Sequence, residues 1–241
     1  MQTPTYKELL DAGCHFGHMK RKWNPKMRPF IFMERKGIHV IDLNRTIESL
    51  EETAKVMKQM AKSGKKILFV GTKKQARGIV ETAARSVNMP FVTDRWLGGM
   101  MTNFATIRKS VRKMQSIERM LNDGTLDNIT KKERLVLSRK HAKLNRMFGG
   151  IADLNRLPHT LFVVDISHEH LAIAEAKRLG ISTIGIVDTN SDPTVVDFAV
   201  PSNDDASKAI AIVVNYLTEA IREGLEEGKK VKEEKKASAE K

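Results

Sequence analysis

Short, continuously apolar runs alternate along this chain with longer segments of helical periodicity. A strand is predicted where an apolar run is bounded by turn residues, as in KKILFV (65–70), which lies between Gly64 and Gly71. Further strands are predicted at 89–92, 160–165, 181–188 and 199–201, and helices at 48–61, 73–87, 168–179 and 204–221. Fully apolar strands that alternate with helices indicate a parallel sheet covered on both faces. The predicted fold class is therefore α/β, a doubly wound, mainly parallel sheet of the flavodoxin or Rossmann kind.

Residues 103–148 interrupt this alternation, because they contain no strand pattern. A narrow apolar stripe starts at Phe104 in the first half, and a matching stripe starts at Leu137 in the second. Asn-Asp-Gly (122–124) marks a reversal of the chain, and Thr130 with Glu133 predicts a capping box that opens the second helix. We expect an inserted antiparallel coiled-coil hairpin whose arms are each about 30 Å long, at about 1.5 Å per residue.

The chain thus divides into three parts. A discontinuous α/β domain takes residues 1–102 and 150–222, and the basic coiled-coil hairpin takes 103–149. Residues 223–241 mix Glu, Lys, Gly and Ser with few apolar residues, so they are predicted to be a charged, disordered tail.

Glycine pairs flank the inserted hairpin at 98–99 and 149–150. They suit tight turns where the hairpin leaves and rejoins the domain, or hinges that let it move. We expect Arg95 and Trp96, just before the insertion, to brace its base.

Positive charge is concentrated in two segments of the chain. The formal net charge of the 241 residues is +13. Residues 103–148 hold twelve Lys or Arg against four Asp or Glu, and residues 15–36 hold seven against one, whereas the remainder is almost neutral. Such concentration predicts a polyanionic partner, with nucleic acid favoured over acidic lipid. A peripheral membrane protein would need an apolar face beside the bases, and the hairpin's stripe is used internally.

Two sets of side chains are the candidate RNA contacts. The N-terminal basic set comprises Lys20, Arg21, Lys22, Trp23, Asn24, Lys26 and Arg28. The hairpin basic set comprises Arg108, Lys109, Arg112, Lys113, Lys131, Lys132, Arg139, Lys140 and Lys143. We expect Pro25 and Pro29 to keep the first segment extended. Trp23 would either stack on an exposed base or pack over the body of the protein.

The sequence offers no set of catalytic residues. FVGTKKQ (69–75) runs from a strand into a helix, but neither GxGxxG nor a P-loop motif is present. Cys14 and His15 are neighbours without a third orienting group, and His168 and His170 do not share a helix face. We therefore expect a protein that is not an enzyme. A single cysteine, the lack of a signal sequence and the short apolar runs all predict a cytoplasmic location.

One candidate metal site comes from the ends of the predicted strands. Asp188 ends one strand and Asp204 follows another, and parallel strands bring such ends to one edge of the sheet. If the segment around His18 folds over that edge, these three side chains could hold zinc or magnesium. The alternative is that the Asp residues cap turns and helices. No cofactor is required on either interpretation.

Eight segments occur in an order that is characteristic of one known family. They are LLDAGCHFGH (9–18), WNPKM (23–27), GIHVIDL (37–43), FVGTKKQ (69–75), RWLGGMMTNF (95–104), LFVVD (161–165), IVDTNSDP (186–193) and VPSNDDA (200–206). Over residues 6–221 the chain closely resembles the bacterial ribosomal protein S-two (uS-two) family of the small ribosomal subunit. Met100, Met101 and Cys14 depart modestly from the family pattern.

This resemblance implies a function. Members of the family have an α/β domain with an inserted helical hairpin. They bind small-subunit ribosomal RNA at the junction of head and body, lie beside other small-subunit proteins and help to hold ribosomal protein S-one. The resemblance implies a structural protein of translation that acts as a single copy, not as a homo-oligomer, and that can carry a metal ion.

Overall fold

A computed structural model describes residues 2–123 and 130–239, with side chains through residue 231. The strands are β1 (Phe16–Met19), β2 (Ile31–Arg35), β3 (Ile38–Ile41), β4 (Ile67–Val70), β5 (Phe91–Val92), β6 (Thr160–Val164), β7 (Ser182–Val187) and β8 (Phe198–Pro201). The helices are α1 (Tyr6–Ala12), α2 (Leu43–Lys62), α3 (Lys74–Ser86), α4 (Phe104–Asn122), α5 (Lys131–Phe148), α6 (His170–Arg178) and α7 (Ser207–Ala239).

A five-stranded parallel sheet with the order β5-β4-β6-β7-β8 forms the centre of the molecule. The chain leaves β4 in one direction to β5 and later returns on the other side of β4 to β6, which confirms the predicted doubly wound α/β fold. Successive residues of a strand face opposite sides of the sheet. Phe69 and Phe162 are covered by α2, α3 and α7, whereas Leu68 and Val163 are covered by α6 and by the base of α4 and α5.

A second, smaller sheet precedes the main one. Strands β1, β3 and β2 pair antiparallel in that order, and the two-residue turn between β2 and β3 places Lys36 and Gly37 at φ values of 52° and 76°. Two consecutive positive φ values are typical of the tight hairpin turns that match strand twist. The sequence did not predict this sheet, because β2 is exposed at four of its five positions and β1 has no buried position, so these strands lack the buried apolar runs of the main sheet.

The helix pair α4 and α5 fills the predicted insertion. The apolar stripe of α4 buries Ile107, Val111 and Met114, and Phe148 is buried at the end of α5. The predicted capping box is confirmed, because the Thr130 side chain accepts from the backbone N–H of Glu133, whose side chain accepts in return. Most of the predicted reversal, from residue 124 to 129, lies outside the described residues. The coiled-coil pairing of the two arms stays a prediction.

Helix α7 continues well beyond the predicted domain boundary at residue 222. Added Cβ atoms would lie 2.3 Å from the Lys58 carbonyl oxygen at Gly224 and 2.7 Å from that of Lys62 at Gly228, so the glycines let α7 approach α2 closely. Lys58 pairs with Glu227 at 2.8 Å. Residues 224–228 of the predicted tail therefore pack against α2, and Leu225 packs on the core. Disorder of the remaining tail stays a prediction. Residues 240 and 241 lie outside the described part.

Candidate nucleic-acid interface

The N-terminal basic set lies on two short 3₁₀ helices, Lys20–Lys22 and Pro25–Phe30. The extended conformation predicted for this segment is therefore wrong. Pro25 occupies the first turn of the second 3₁₀ helix, where its missing N–H costs no hydrogen bond, and Met27 is fully buried beneath it. The segment is fixed against the body rather than free, so its charges have defined positions before any partner binds.

Two lysines of this set are already paired within the protein. Lys20 Nζ lies 2.8 Å from Glu34 Oε2, and Lys26 Nζ lies 2.6 Å from Asp192 Oδ2. The bond from Lys26 lowers the pKa of Asp192 to about 2. Arg21, Lys22 and Arg28 are exposed, and among the described residues no ion pair involves them. These three carry the charge that the N-terminal basic set leaves available.

The two non-basic members of the set have structural contacts. The Trp23 ring lies 5.0 Å from the ring of buried His39, centroid to centroid, and Trp23 is half-buried. This contact agrees with packing over the body, and stacking of Trp23 on an RNA base stays a prediction. Asn24 accepts from the backbone N–H of Lys26 through its side chain and donates its own N–H to the Thr189 carbonyl, so it ties the segment to the loop after β7.

The hairpin basic set divides in a similar way. The Arg108 guanidinium donates to the carbonyl of Ala152 at 3.0 Å and to Asn155 Oδ1 at 2.8 Å, so Arg108 braces the base of the helix pair. The other members are exposed and have no ion pair with any described residue: Lys109, Arg112, Lys113, Lys131, Lys132, Arg139, Lys140 and Lys143. Positive charge therefore lines both arms outside their apolar stripe.

One carboxylate that the sequence analysis did not single out organises the entrance to this helix pair. Glu175 on α6 accepts from Trp96 Nε1 at 3.1 Å and from the backbone N–H of Gly99 at 2.7 Å and of Met101 at 2.9 Å. Trp96 is buried, as expected of a brace, whereas Arg95 is exposed. Three of the five donors to Glu175 are backbone N–H groups, which the sequence pattern does not reveal, so the sequence offered little indication of this carboxylate's role.

The predicted metal residues do come together, at the carboxyl edge of the main sheet. One ligand atom from each of His18, Asp188 and Asp204 lies within 4.8 Å of the other two. His18 Nδ1 is 3.1 Å from Asp188 Oδ2, and Asp204 Oδ2 is buried without a hydrogen-bond partner among the described residues. Asp205, the neighbouring carboxylate, lies 3.4 Å from His18 Nε2. The cluster has the nitrogen and oxygen donors that zinc accepts.

A lysine also enters this acidic cluster. Lys73 Nζ lies 2.7 Å from both Asp204 Oδ1 and Asp205 Oδ1, and 3.2 Å from Asp165 Oδ2. Burial opposes the charge of Lys73, but the bonds to Asp204 and Asp205 outweigh it and raise the pKa of Lys73. Burial raises the pKa of Asp204 to about 7, and nearby Asp165 and Asp188 act in the same direction. Four carboxyl groups, those of Asp165, Asp188, Asp204 and Asp205, thus surround Lys73 and His18.

Exposed apolar side chains gather on the small sheet and on α1. A groove of about 470 Å³ is lined by Tyr6, Leu10, Phe16, Phe32 and Met33, among others. Phe32 is 70 % exposed and Phe16 is 53 % exposed. We call this surface the apolar groove. Contiguous exposed apolar surface of this kind marks sites of protein–protein contact.

Fold and surface together define a class of protein. The α/β body carries a basic helix pair and a second basic segment, and exposed bases concentrated on a few elements are typical of proteins that bind nucleic acid. Residues 9–224 match the family described as Ribosomal protein S2, and the chain belongs to that family.

Curated relatives cover nearly all of the chain. The small ribosomal subunit protein uS2 of Bacteroides thetaiotaomicron is 56 % identical over 240 residues, which is 100 % of this chain and 86 % of the relative. The protein of that name from Cytophaga hutchinsonii is 57 % identical over 231 residues, 96 % of this chain and 91 % of its own length. The corresponding protein from Porphyromonas gingivalis is 56 % identical over 229 residues, 95 % of this chain and 82 % of the relative.

Within the described residues, no helix is both long and apolar enough to cross a bilayer.

Proposed function

We propose that this protein is a structural component of the small ribosomal subunit, without enzymatic activity, that binds small-subunit ribosomal RNA at the junction of head and body. Family membership supports the role in the cytoplasmic ribosome and in translation. The observation that carries RNA binding is the separation of unpaired positive charge into two exposed sets on an otherwise almost neutral body. The protein acts as a single copy among neighbouring small-subunit proteins.

The two basic sets serve as two electrostatic contacts. Phosphate contacts fix position and orientation without reading base sequence. Specificity then follows from RNA shape, because only a folded RNA presents phosphates at both sets at once. Lys20 and Lys26 contribute less than their charge implies, since each would have to give up an internal carboxylate partner.

Incorporation into small subunits tests the N-terminal basic set. Arg21→Ala, Lys22→Ala and Arg28→Ala together should lower co-sedimentation with small subunits while the thermal unfolding of the isolated protein is unchanged, because none of the three side chains is used in folding. A matched variant removes three exposed bases elsewhere: Lys55, Lys65 and Arg178. Equal incorporation of the two triple variants would reject this contact.

We propose further that the apolar groove helps to anchor ribosomal protein S-one. The groove exposes aromatic surface that the fold itself does not cover, and Phe32 is its most exposed member. Phe32→Ala should weaken capture of ribosomal protein S-one by the assembled subunit and leave RNA binding intact. Leu171→Ala, which removes an apolar side chain 50 % exposed on α6, is the matched control. Equal capture by both variants would exclude the groove.

Finally, we propose that His18, Asp188 and Asp204 hold a divalent metal. The residues fit such an ion, because a buried carboxylate oxygen of Asp204 has no hydrogen-bond partner among the described residues and the donor set suits zinc. A bound ion would join the N-terminal segment to the edge of the main sheet. Added zinc should raise the melting temperature of the native protein and leave that of His18→Ala unchanged. An equal rise in the melting temperature of both proteins would exclude a metal site that uses His18.

A further inference from the structure

The helix pair joins the body through a short segment whose backbone donors converge on one side chain. Glu175 Oε1 accepts from Trp96 Nε1 and the Gly99 N–H. Its Oε2 accepts from the N–H groups of Met101 and Thr102, both at 2.9 Å, and from the Thr102 hydroxyl at 3.1 Å. Five donors thus share one carboxylate, and the last of them stands two residues before α4 begins.

The element that carries Glu175 is firmly placed. Ala172, Ile173 and Ala176 of α6 are buried against the main sheet, so Glu175 projects from a rigid support. Gly99 has φ +85°, a conformation that favours glycine, and its N–H points to the carboxylate while its carbonyl accepts from Asn103 at 2.8 Å. The first turn of α4 is therefore positioned by hydrogen bonds that connect it, through Gly99 and Glu175, to α6.

The other end of the insertion is held as well. Arg146 on α5 pairs with Asp94 at 3.2 Å, and a Cβ atom added to Gly150 would lie 2.2 Å from the Phe91 carbonyl oxygen. Gly150 therefore serves close packing, which does not favour a hinge at this end of the insertion. Held at both ends, the helix pair leaves the body in one direction.

We propose that Glu175 is a positioning residue: it fixes the direction of the helix pair and thereby the separation of the two basic sets. The proposal rests on the proposed function, because the separation matters only if both sets meet RNA together. Removal of the carboxylate would leave five donors without their acceptor, and the segment 96–102 would rearrange to satisfy them with water.

A distance measurement in the free protein tests the positioning directly. Ser116→Cys on α4 and Glu52→Cys on α2 provide exposed positions for spin labels, while native Cys14 is fully buried and stays unlabelled. Pulsed electron resonance should give one narrow distance distribution in the full-length protein. Glu175→Ala should broaden and shift it, and Glu175→Gln, which keeps one acceptor oxygen, should lie between the two. An unchanged distribution in Glu175→Ala would overturn the proposal.

A destabilised but correctly oriented variant provides the control. Asp197 accepts from the Thr183 N–H and hydroxyl, at the edge between β7 and β8, so Asp197→Ala removes carboxylate hydrogen bonds away from the helix pair. We expect lower stability with the distance distribution intact. If Asp197→Ala broadened the distance distribution as Glu175→Ala does, general destabilisation would explain both effects. The positioning role of Glu175 would then be rejected.

RNA affinity then separates this proposal from the proposed function. Glu175→Ala should bind small-subunit ribosomal RNA about tenfold more weakly, because the hairpin basic set no longer stands at the right distance from the N-terminal basic set. If the distance shifts while the affinity stays unchanged, the carboxylate positions the helix pair as proposed, and the two-contact mode of RNA binding is what fails.

Discussion

At the scale of single residues, the carboxylate of Glu175 predicts a pH dependence of stability. Burial opposes its charge, but hydrogen bonds from Thr102, Met101, Trp96 and Gly99 outweigh burial and lower the pKa of Glu175 below its ordinary 4.5. A lowered pKa in the folded state contributes stability that is present above pH 4.5 and is lost as the pH falls through the folded value.

The corresponding experiment compares the native protein with Glu175→Gln. The native protein should have the larger free energy of unfolding at pH 6, by about 2 kcal/mol, since charged hydrogen bonds are lost in the variant. The difference should shrink as the pH falls below 4.5, measured by urea denaturation. A constant difference from pH 6 to pH 3 would show that the charge of Glu175 is not the cause.

A second residue-scale prediction concerns buried hydrogen bonds between Thr72, which follows β4, and Glu169, the N-cap residue of α6. The Thr72 N–H and hydroxyl both donate to Glu169, which is 3 % exposed. Thr72→Val keeps the volume but removes one donor to a buried carboxylate, so stability should fall by about 1–3 kcal/mol. Thr72→Ser restores the hydroxyl and should recover most of the loss in the same denaturation experiment. If Thr72→Ser recovers none of the lost stability, the methyl group of Thr72 contributes as much to stability as its hydroxyl group does.

Residue chemistry was only partly predictable from the sequence. Asp188 and Asp204 could be brought together because parallel strands place their carboxyl ends at one edge, whereas the approach of His18 depended on its segment folding over that edge. Lys73 in the same cluster, and Glu175 under the helix pair, could not, because their partners are distant in sequence or are backbone groups. The pairs Lys20–Glu34 and Lys26–Asp192 also depend on the fold, so the sequence overestimated the free charge of the N-terminal basic set.

At the scale of elements, the contact between α2 and α7 yields a test with an internal control. Gly224→Ala would place a methyl group against the Lys58 carbonyl and should cost about 1–3 kcal/mol, because the helices must separate. Gly78 is the matched position: it lies within α3 and a Cβ there meets nothing within 4 Å. Gly78→Ala should stabilise by up to about 1 kcal/mol. Thermal unfolding measures the change in stability of both variants. Equal changes would contradict the close packing of α7 on α2.

The elements of the main sheet were predictable because β4, β6 and β7 are buried on both faces and so are mostly apolar in sequence. The small antiparallel sheet was not predictable, because β2 is exposed at four of its five positions. Exposed Phe32 and Met33 are poor evidence for a strand but good evidence for a contact surface. The packing of Gly224 and Gly228 on α2 was not predictable for a related reason, because packing of glycines on a backbone produces no apolar pattern.

At the scale of the whole molecule, positive charge lies in two places joined by a rigid body. The N-terminal basic set is fixed by Met27 and Trp23 against the body, and the helix pair is fixed at its base by Glu175. Fixed positions lower the ordering cost of binding, because little conformational freedom remains to be lost. On the proposed function, the molecule would bind as a preformed surface, whose two basic sets would strengthen each other's binding only if one RNA spans both.

The salt dependence of RNA affinity tests this two-contact binding most directly. One variant replaces Arg21, Lys22 and Arg28 by Ala, another replaces Lys109, Arg112 and Lys113, and a third combines all six changes. Each triple variant should lower the slope of log affinity against log salt by about 2–3, and the combined variant by about 4–6, because each phosphate that is no longer neutralised lowers it by about 0.7–0.9. If either triple variant had the same slope as the native protein, simultaneous binding by both basic sets would be contradicted.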